Sequence, residues 1–346
     1  MNVLTVVGAR PQFIKAAAVS GPLRRVANEI LVHTGQHYDS DMSAVFFDEL
    51  GIPEPDIHLE VGSASHGAQT GRMLEALEGV IVDHRPDVVM VYGDTNSTLA
   101  GALAAAKLNI PVAHVEAGLR SDRHDMPEEV NRVLTDHVSE WLFCPTSNAV
   151  DRLALEGITD GVHLVGDVMA DSVEMIRGRL SVDRVHALGL QKPYAAATIH
   201  RAENTDDANT LRAILELLAG LPLTVAIPIH PRTAAAMTRH EFEWPPNVTV
   251  LEPAGYIDML SLVANAEVLV TDSGGLQKES AMVGTRCITV RNETEWPETV
   301  ASGWNTVVGT DAAAAVAALD SPVPASPPAG FGPGAAERIV ELLAGA

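Results

Sequence analysis

The sequence predicts an α/β protein with two doubly wound parallel sheets, and three observations carry that expectation. Short apolar runs recur along the whole chain, each bounded by Gly, Pro, Asp or Asn. The runs are continuous rather than alternating, the pattern of strands covered on both faces and hence of parallel sheets. Amphipathic helical stretches separate them, and 346 residues are enough for two domains with a core each.

In the first half the strand-like runs are 3–7, 88–92, 112–115 and 142–143, with helical stretches at 71–84 and 128–141. The second half repeats the pattern at 195–199, 224–229, 248–251, 268–271 and 287–290, with a helical stretch at 210–218. A strand-like 163–165 ends at Gly166 and a helix-like 168–180 follows. This places an N-terminal domain over 1–167 and a C-terminal domain over 168–330. The Pro/Ala/Gly-rich stretch 321–334 reads as a surface linker, and 312–318 as an ordinary Ala-rich helix. A short helix near the end, 335–343 within 331–346, is able to pack back on the N-terminal domain.

Composition excludes partners more than it names them. There are 45 acidic against 23 basic side chains, for a net charge of −22. Such a surface repels nucleic acid and anionic lipid, so neither is an expected partner. Only four lysines stand against 19 arginines, which fits either a salt-adapted surface or compositional drift. An apolar fraction of 47% is too high for a disordered chain, and no uninterrupted apolar run is long enough for a membrane span. The opening MNVLTVVGARPQF lacks the basic and long apolar regions of a signal peptide. Cys144 and Cys287 each sit beside an apolar run and read as two buried free thiols of a cytoplasmic protein.

In open α/β sheets, ligands bind beyond the carboxyl ends of the strands, so with two sheets the expected site is the cleft between the domains. After the first run comes Gly8-Ala9-Arg10-Pro11-Gln12-Phe13-Ile14-Lys15, which joins a tight turn, a helix start and two cations. It reads as an anion site or as a plain strand–helix turn. After 88–92 comes Gly93-Asp94-Thr95-Asn96-Ser97-Thr98, where Asp94 stands in a good N-cap position. After 112–115 comes Glu116, a poor cap and so harder to dismiss. Pro127-Glu128-Glu129-Val130-Asn131-Arg132 opens a helix, with 128, 131 and 132 on one face and Glu129 pointing elsewhere. The bland reading there is a Glu128–Arg132 surface bridge. The functional reading brings Asp94, Glu116 and Glu128 to one sheet edge for acid–base work, with mutual repulsion raising some of their pKa values.

In the second half, His200-Arg201 and His230-Pro231-Arg232 end two runs and suggest an anion-binding rim. Thr271-Asp272-Ser273-Gly274-Gly275 offers bare N–H groups and a hydroxyl to a phosphate, with Glu279 one turn on for ribose hydroxyls. No HExxH, CxxC, P-loop or GxSxG is present, and the lone Asp39-Ser40-Asp41 reads better as a helix start than as a metal site.

Taken in order, GARPQFIK (8–15), GDTNST (93–98), HVEAGLR (114–120), PEEVNR (127–132), HRAEN (200–204), TDSGGLQKE (271–279) and TEWPE (294–298) resemble the non-hydrolysing UDP-N-acetylglucosamine 2-epimerases. The resemblance implies two Rossmann-like domains facing a cleft in the GT-B arrangement, a homodimer, a UDP-sugar substrate, and no required cofactor or metal. It implies interconversion of UDP-GlcNAc and UDP-ManNAc through elimination of UDP to 2-acetamidoglucal and its re-addition. Asp94, Glu116 and Glu128 become the acid–base groups and His200 a diphosphate contact. Arg10, Lys15, Arg132, Met259, Ser273, Gly274, Gly275 and Glu279 become substrate contacts. Gln36, His37 and Arg72 match part of the family's allosteric UDP-GlcNAc site, whereas Tyr38 and Asp39 depart from it. Trp296 stands where many members carry an arginine, Met259 where an aromatic is common, Ala254 where a polar residue is frequent, and Lys278 where an acidic residue is frequent. The segment between Arg120 and Pro127 is shorter than in many members. These departures keep two alternatives open: a 2-epimerase of UDP-2,3-diacetamido-glucuronate, and a GT-B glycosyltransferase.

Overall fold

The computed structural model describes residues 1–36, 54–121 and 125–345, the side chain of Arg10 excepted. His37, Tyr38 and the acidic pair at 39 and 41 lie outside the described residues. The chain divides into two compact units, Met1–Met175 with Gly330–Ala346, and Ile176–Ala329.

The first unit holds a seven-stranded sheet of β1 (Asn2–Val7), β2 (Asn28–His33), β3 (Ile57–His58), β4 (Val88–Tyr92), β5 (Val112–Val115), β6 (Trp141–Cys144) and β7 (Val162–Leu164). Its order is β3-β2-β1-β4-β5-β6-β7, and every pairing is parallel. The second unit holds β8 (Tyr194–Thr198), β9 (Thr224–Pro228), β10 (Val248–Leu251), β11 (Val268–Thr271), β12 (Arg286–Thr289) and β13 (Asn305–Val307), ordered β10-β9-β8-β11-β12-β13 and also parallel. Strand order reverses between β1 and β4, and again between β8 and β11. These switch points are where flanking helices diverge and leave a crevice for ligands.

Burial on both faces explains why the strands are continuously apolar. Leu4, Val6, Val89 and Val91 are fully buried against the helix His66–His84, which presents Gln69, Met73, Leu77 and Ile81 at i, i+4 spacing. Each fully buried Leu, Ile or Met contributes about 1.5–3 kcal/mol. Both cysteines are buried and free, and burial above all pushes each thiol up to about 12.

The helix after Gly166 runs only over Val168–Ile176 before a 3-10 turn at Arg177–Arg179. It belongs with the first unit, because Ser172 donates to the Ile14 carbonyl. Asp171 on that helix accepts from Gly334, Ala335 and Ala336, capping the helix Ala335–Ala344. Two further differences have simple causes. The stretch read as helical to 141 stops at Val138, since Trp141 opens the buried β6. β2 escapes a search for apolar runs because it carries Glu29, buried where it accepts from Thr5, Ser20 and Arg24.

Candidate active site

Gly8 follows β1 and admits no side chain: a Cβ there would lie 2.1 Å from the hydroxyl oxygens of both Thr34 and Ser97. Those hydroxyls share a 2.8 Å hydrogen bond, so the turn is packed shut. The backbone N–H groups of Gly8 and Ala9 both donate to Gln12 Oε1, at 2.8 and 3.0 Å. Gln12 Nε2 donates in turn to the Tyr92 carbonyl and to Thr98. Gln12 thus occupies these two donors, which are not free for an anion. The same glutamine ties the ends of β1 and β4 together across the switch point.

Asp94 is not the helix cap the sequence suggests. Thr95 caps the helix Asn96–Lys107, accepting from Thr98. The Asp94 carboxylate therefore remains available, and Arg132 donates to it through Nε and Nη2 at 3.0 and 2.6 Å. Asn131 donates to the Asp94 carbonyl and to Asn96. Glu116 follows β5 with φ +74°, in the left-handed region that a non-glycine residue enters only under constraint. Lys15 Nζ pairs with its carboxylate, and both side chains are 9% exposed. A Cβ built on Gly93 would lie 3.3 Å from Lys15 Nζ and 3.4 Å from Glu116 Oε2, which sets this ion pair beside the Asp94 turn.

The helix Pro127–Val138 corrects the sequence reading twice. Glu128 is half-buried and makes no ion pair among the described residues, so the Glu128–Arg132 bridge is not formed. Glu129 does not point away. It is 2% exposed, accepts from the Ser121 N–H and hydroxyl, and pairs with Arg132 at 2.8 Å. Burial opposes its charge, but the Ser121 donors and Arg132 outweigh burial and hold its pKa below the ordinary carboxylate value. The expected crowd of mutually repelling carboxylates is thus a set interleaved with cations: Lys15 serves Glu116, and Arg132 serves Asp94 and Glu129.

At the second switch point, Ser273 caps the helix Gly274–Val283 and accepts from Leu276, while Gly274 and Gly275 open its first turn. First-turn N–H groups lack intrahelical acceptors, so this end is suited to an anion. Asp272, absent from the sequence-derived set, organises the surroundings. It is fully buried and accepts from the N–H groups of His200 and Arg201 and from Asn204 Nδ2. A carboxylate directly after a buried strand was the available signal, the same one that flagged Glu116. Burial foremost lowers the His200 pKa; Asp272 opposes this, while Arg201 and Arg232 reinforce it. The His200 ring lies 5.2 Å from that of His230.

Glu279 is buried and accepts from the Tyr256 hydroxyl at 2.9 Å. Met259 packs into the core among Tyr194, Leu262 and Leu269, which leaves it little surface for a base. Trp296 is buried beneath the Lys278 ammonium, 4.1 Å from its ring centroid, so two of the departures from the family pattern contact each other. Gln36 is buried and accepts from the N–H and hydroxyl of Ser97, whereas Arg72 is exposed. Among the described residues, no group of three or more His, Cys, Asp or Glu is arranged to hold a metal ion, and no helix is long and apolar enough to cross a membrane.

Two doubly wound parallel sheets, with ion-paired carboxylates at one switch point and a Ser-Gly-Gly helix start at the other, define an α/β enzyme of the GT-B type. The model of the family described as UDP-N-acetylglucosamine 2-epimerase matches residues 23–344. The chain belongs to that family, whose members are isomerases. It is 48% identical to a UDP-N-acetylglucosamine 2-epimerase homolog of Methanococcus maripaludis, over 90% of this chain and 89% of the relative. It is also 48% identical to the UDP-2,3-diacetamido-2,3-dideoxy-D-glucuronate 2-epimerase of Pseudomonas aeruginosa, over 89% of this chain and 88% of the relative. The crystal structure of Methanocaldococcus jannaschii UDP-GlcNAc 2-epimerase in complex with UDP-GlcNAc and UDP superposes with a TM-score of 0.91 at 38% identity, covering 100% of both chains.

Proposed function

We propose that the chain is a non-hydrolysing UDP-N-acetylglucosamine 2-epimerase that interconverts UDP-GlcNAc and UDP-ManNAc. The C2 hydrogen of the sugar is barely acidic, so direct inversion is difficult. Elimination avoids the problem: a carboxylate takes the C2 proton as the C1–O bond to UDP breaks, leaving 2-acetamidoglucal. Protonation of C2 from the opposite face and return of UDP to C1 complete the inversion. The sequence is redox-neutral and balanced by proton transfer, so its chemistry calls for no nicotinamide cofactor.

The observation that carries this reading is the pair of cation-held carboxylates, Asp94 after β4 and Glu116 after β5, at adjacent strand ends of one sheet. Carboxylates held in place in this way are suited to proton abstraction. Glu128 supplies a third carboxyl on the helix that carries Arg132. In the second unit, the first-turn N–H groups at Gly274 and Gly275, with Ser273 and His200, are assigned to the diphosphate, and Glu279 to the ribose. A homodimer in a reducing, cytoplasmic compartment fits the family and the two free thiols. Incubation with UDP-GlcNAc in deuterated water tests the proposal: NMR is expected to show UDP-ManNAc carrying deuterium at C2. Unchanged substrate would overturn it.

One finding favours a second reading. Identity to the Pseudomonas glucuronate-type epimerase is 48%, against 41% and 40% to the UDP-N-acetylglucosamine 2-epimerases of Methanococcus maripaludis and Methanocaldococcus jannaschii. The chemistry at C2 is the same, and only the C3 and C6 substituents differ. The same deuterium experiment with UDP-2,3-diacetamido-glucuronate separates the substrates by their relative kcat/KM.

A further inference from the structure

His114 lies in β5, two residues before Glu116, and is fully buried. Its Nε2 is 2.8 Å from the Gly93 carbonyl oxygen, and its Nδ1 is 2.6 Å from Asp136 Oδ1. A backbone carbonyl only accepts, so Nε2 carries a proton and donates it. Asp136 is a carboxylate that accepts at its other oxygen from the Gly118 N–H at 3.1 Å and from Arg120 Nη1 at 2.7 Å. Burial opposes its charge, yet His114 and Arg120 hold its pKa below the ordinary value. Both ring nitrogens of His114 therefore face acceptors, and the ring donates twice.

Those two bonds reach both acid–base turns. Gly93 has φ +63° and directly precedes Asp94. Its N–H donates to the Val115 carbonyl at 3.0 Å, and its own carbonyl accepts from His114. Both backbone polar groups of Gly93 are thus fixed by β5 residues flanking Glu116. Through Asp136, which accepts from the Gly118 N–H, the same ring is tied to the turn that carries Glu116, and a Cβ on Gly118 would lie 2.4 Å from the Ala149 carbonyl oxygen.

We infer that His114 is a positioning residue for the epimerisation: its Nε2–H bond to the Gly93 carbonyl sets the Asp94 carboxylate against the sugar, while its Nδ1–H bond to Asp136 orients the ring. The inference rests on the proposed acid–base roles of Asp94 and Glu116. Misplacing a reacting group by about 1 Å can cost about 10²-fold in rate.

Two substitutions separate the bonds. His114→Gln places an amide donor near Nε2, and His114→Asn places one near Nδ1. Deuterium incorporation at C2 gives kcat and KM, and calorimetry with UDP gives Kd. His114→Asn is expected to lower kcat about 10–100-fold with KM and the UDP Kd within about twofold, while His114→Gln keeps kcat within about threefold of the parent. Equal kcat in His114→Asn and the parent, or equal losses in the two variants tracking their loss of thermal stability, would overturn the inference. Should His114→Asn fail to fold, the parent still decides. In ¹⁵N-histidine-labelled protein, two hydrogen-bonded ring N–H signals are expected for His114, and a single one would overturn the doubly donating ring. Parent protein without C2 exchange would overturn the epimerase reading and this inference together; exchange in the parent with both variants alike would overturn this inference alone.

Discussion

Arg132 holds two carboxylates at once. Its Nε and Nη2 grip Asp94, and its Nη1 grips the buried Glu129 one turn earlier on its own helix. One guanidinium thereby joins the turn after β4 to the helix Pro127–Val138. It orients the Asp94 carboxylate and places a cation between it and Glu129. The planar fork serves both partners, which a lysine ammonium would not.

Removing the acid–base carboxylates should stop chemistry without stopping nucleotide binding. Asp94→Asn and Glu116→Gln are each expected to lower turnover about 10²–10⁴-fold, the range for loss of a positioned proton-transfer group. UDP affinity, assigned to the second unit, should change little. The measurement pairs the deuterium assay with UDP calorimetry; parent-like turnover in both variants would remove these residues from the mechanism.

Arg132→Met should be costly for stability as well as rate. It removes the guanidinium from the buried Glu129, and breaking a buried ion pair costs about 3–5 kcal/mol. Arg132→Lys restores the charge but not the fork, so it should recover stability more fully than turnover. Urea unfolding beside kcat for both variants checks this. A lysine variant with parent-like kcat would show that bidentate geometry is not needed.

Gly8→Ala tests the closed turn at the first switch point. The added methyl would press on the Thr34 and Ser97 hydroxyls and break their shared bond, for a cost of about 1–3 kcal/mol. Because Gln12 links this turn to the Tyr92 carbonyl, the strain should reach the Asp94 turn, and kcat should fall with stability. An unchanged melting temperature would mean that the hydroxyls rotate aside freely.

Much of this was legible in the sequence because parallel strands buried on both faces leave continuous apolar runs, and because the candidate site residues sit where those runs end. Asp94, Glu116, His200 and Ser273 were found that way. What escaped depended on long-range contacts. Asp94 looks like a cap until Thr95 takes that role, and Glu129 looks exposed by helical phase until Ser121 covers it. Gln12 and Asp136 carry no signal of their own, since each acts by accepting or donating to groups distant in sequence or on another element. β2 was hidden because its buried Glu29 interrupts the apolar pattern.

His33 makes the first unit acid-sensitive. Its ring stacks between Phe13 and His58, with centroids at 4.9 and 5.5 Å, and its Nδ1 accepts from the Gly35 N–H at 2.8 Å. Burial, with a smaller contribution from His58, lowers its pKa to about 4 from 6.5. Between those values the unfolded chain binds a proton that the folded chain refuses. Stability conferred by neutral His33 is therefore fully present above pH 6.5 and lost as pH falls toward 4. By linkage the loss amounts to about 3 kcal/mol at the acid end of that window. Urea midpoints at pH 7.0 and 4.5 measure it, and His33→Asn, whose side-chain oxygen can accept from Gly35, removes the titrating group. The variant is expected to lose about 2–3 kcal/mol less than the parent over this interval. An identical pH dependence in parent and variant would place the acid lability elsewhere.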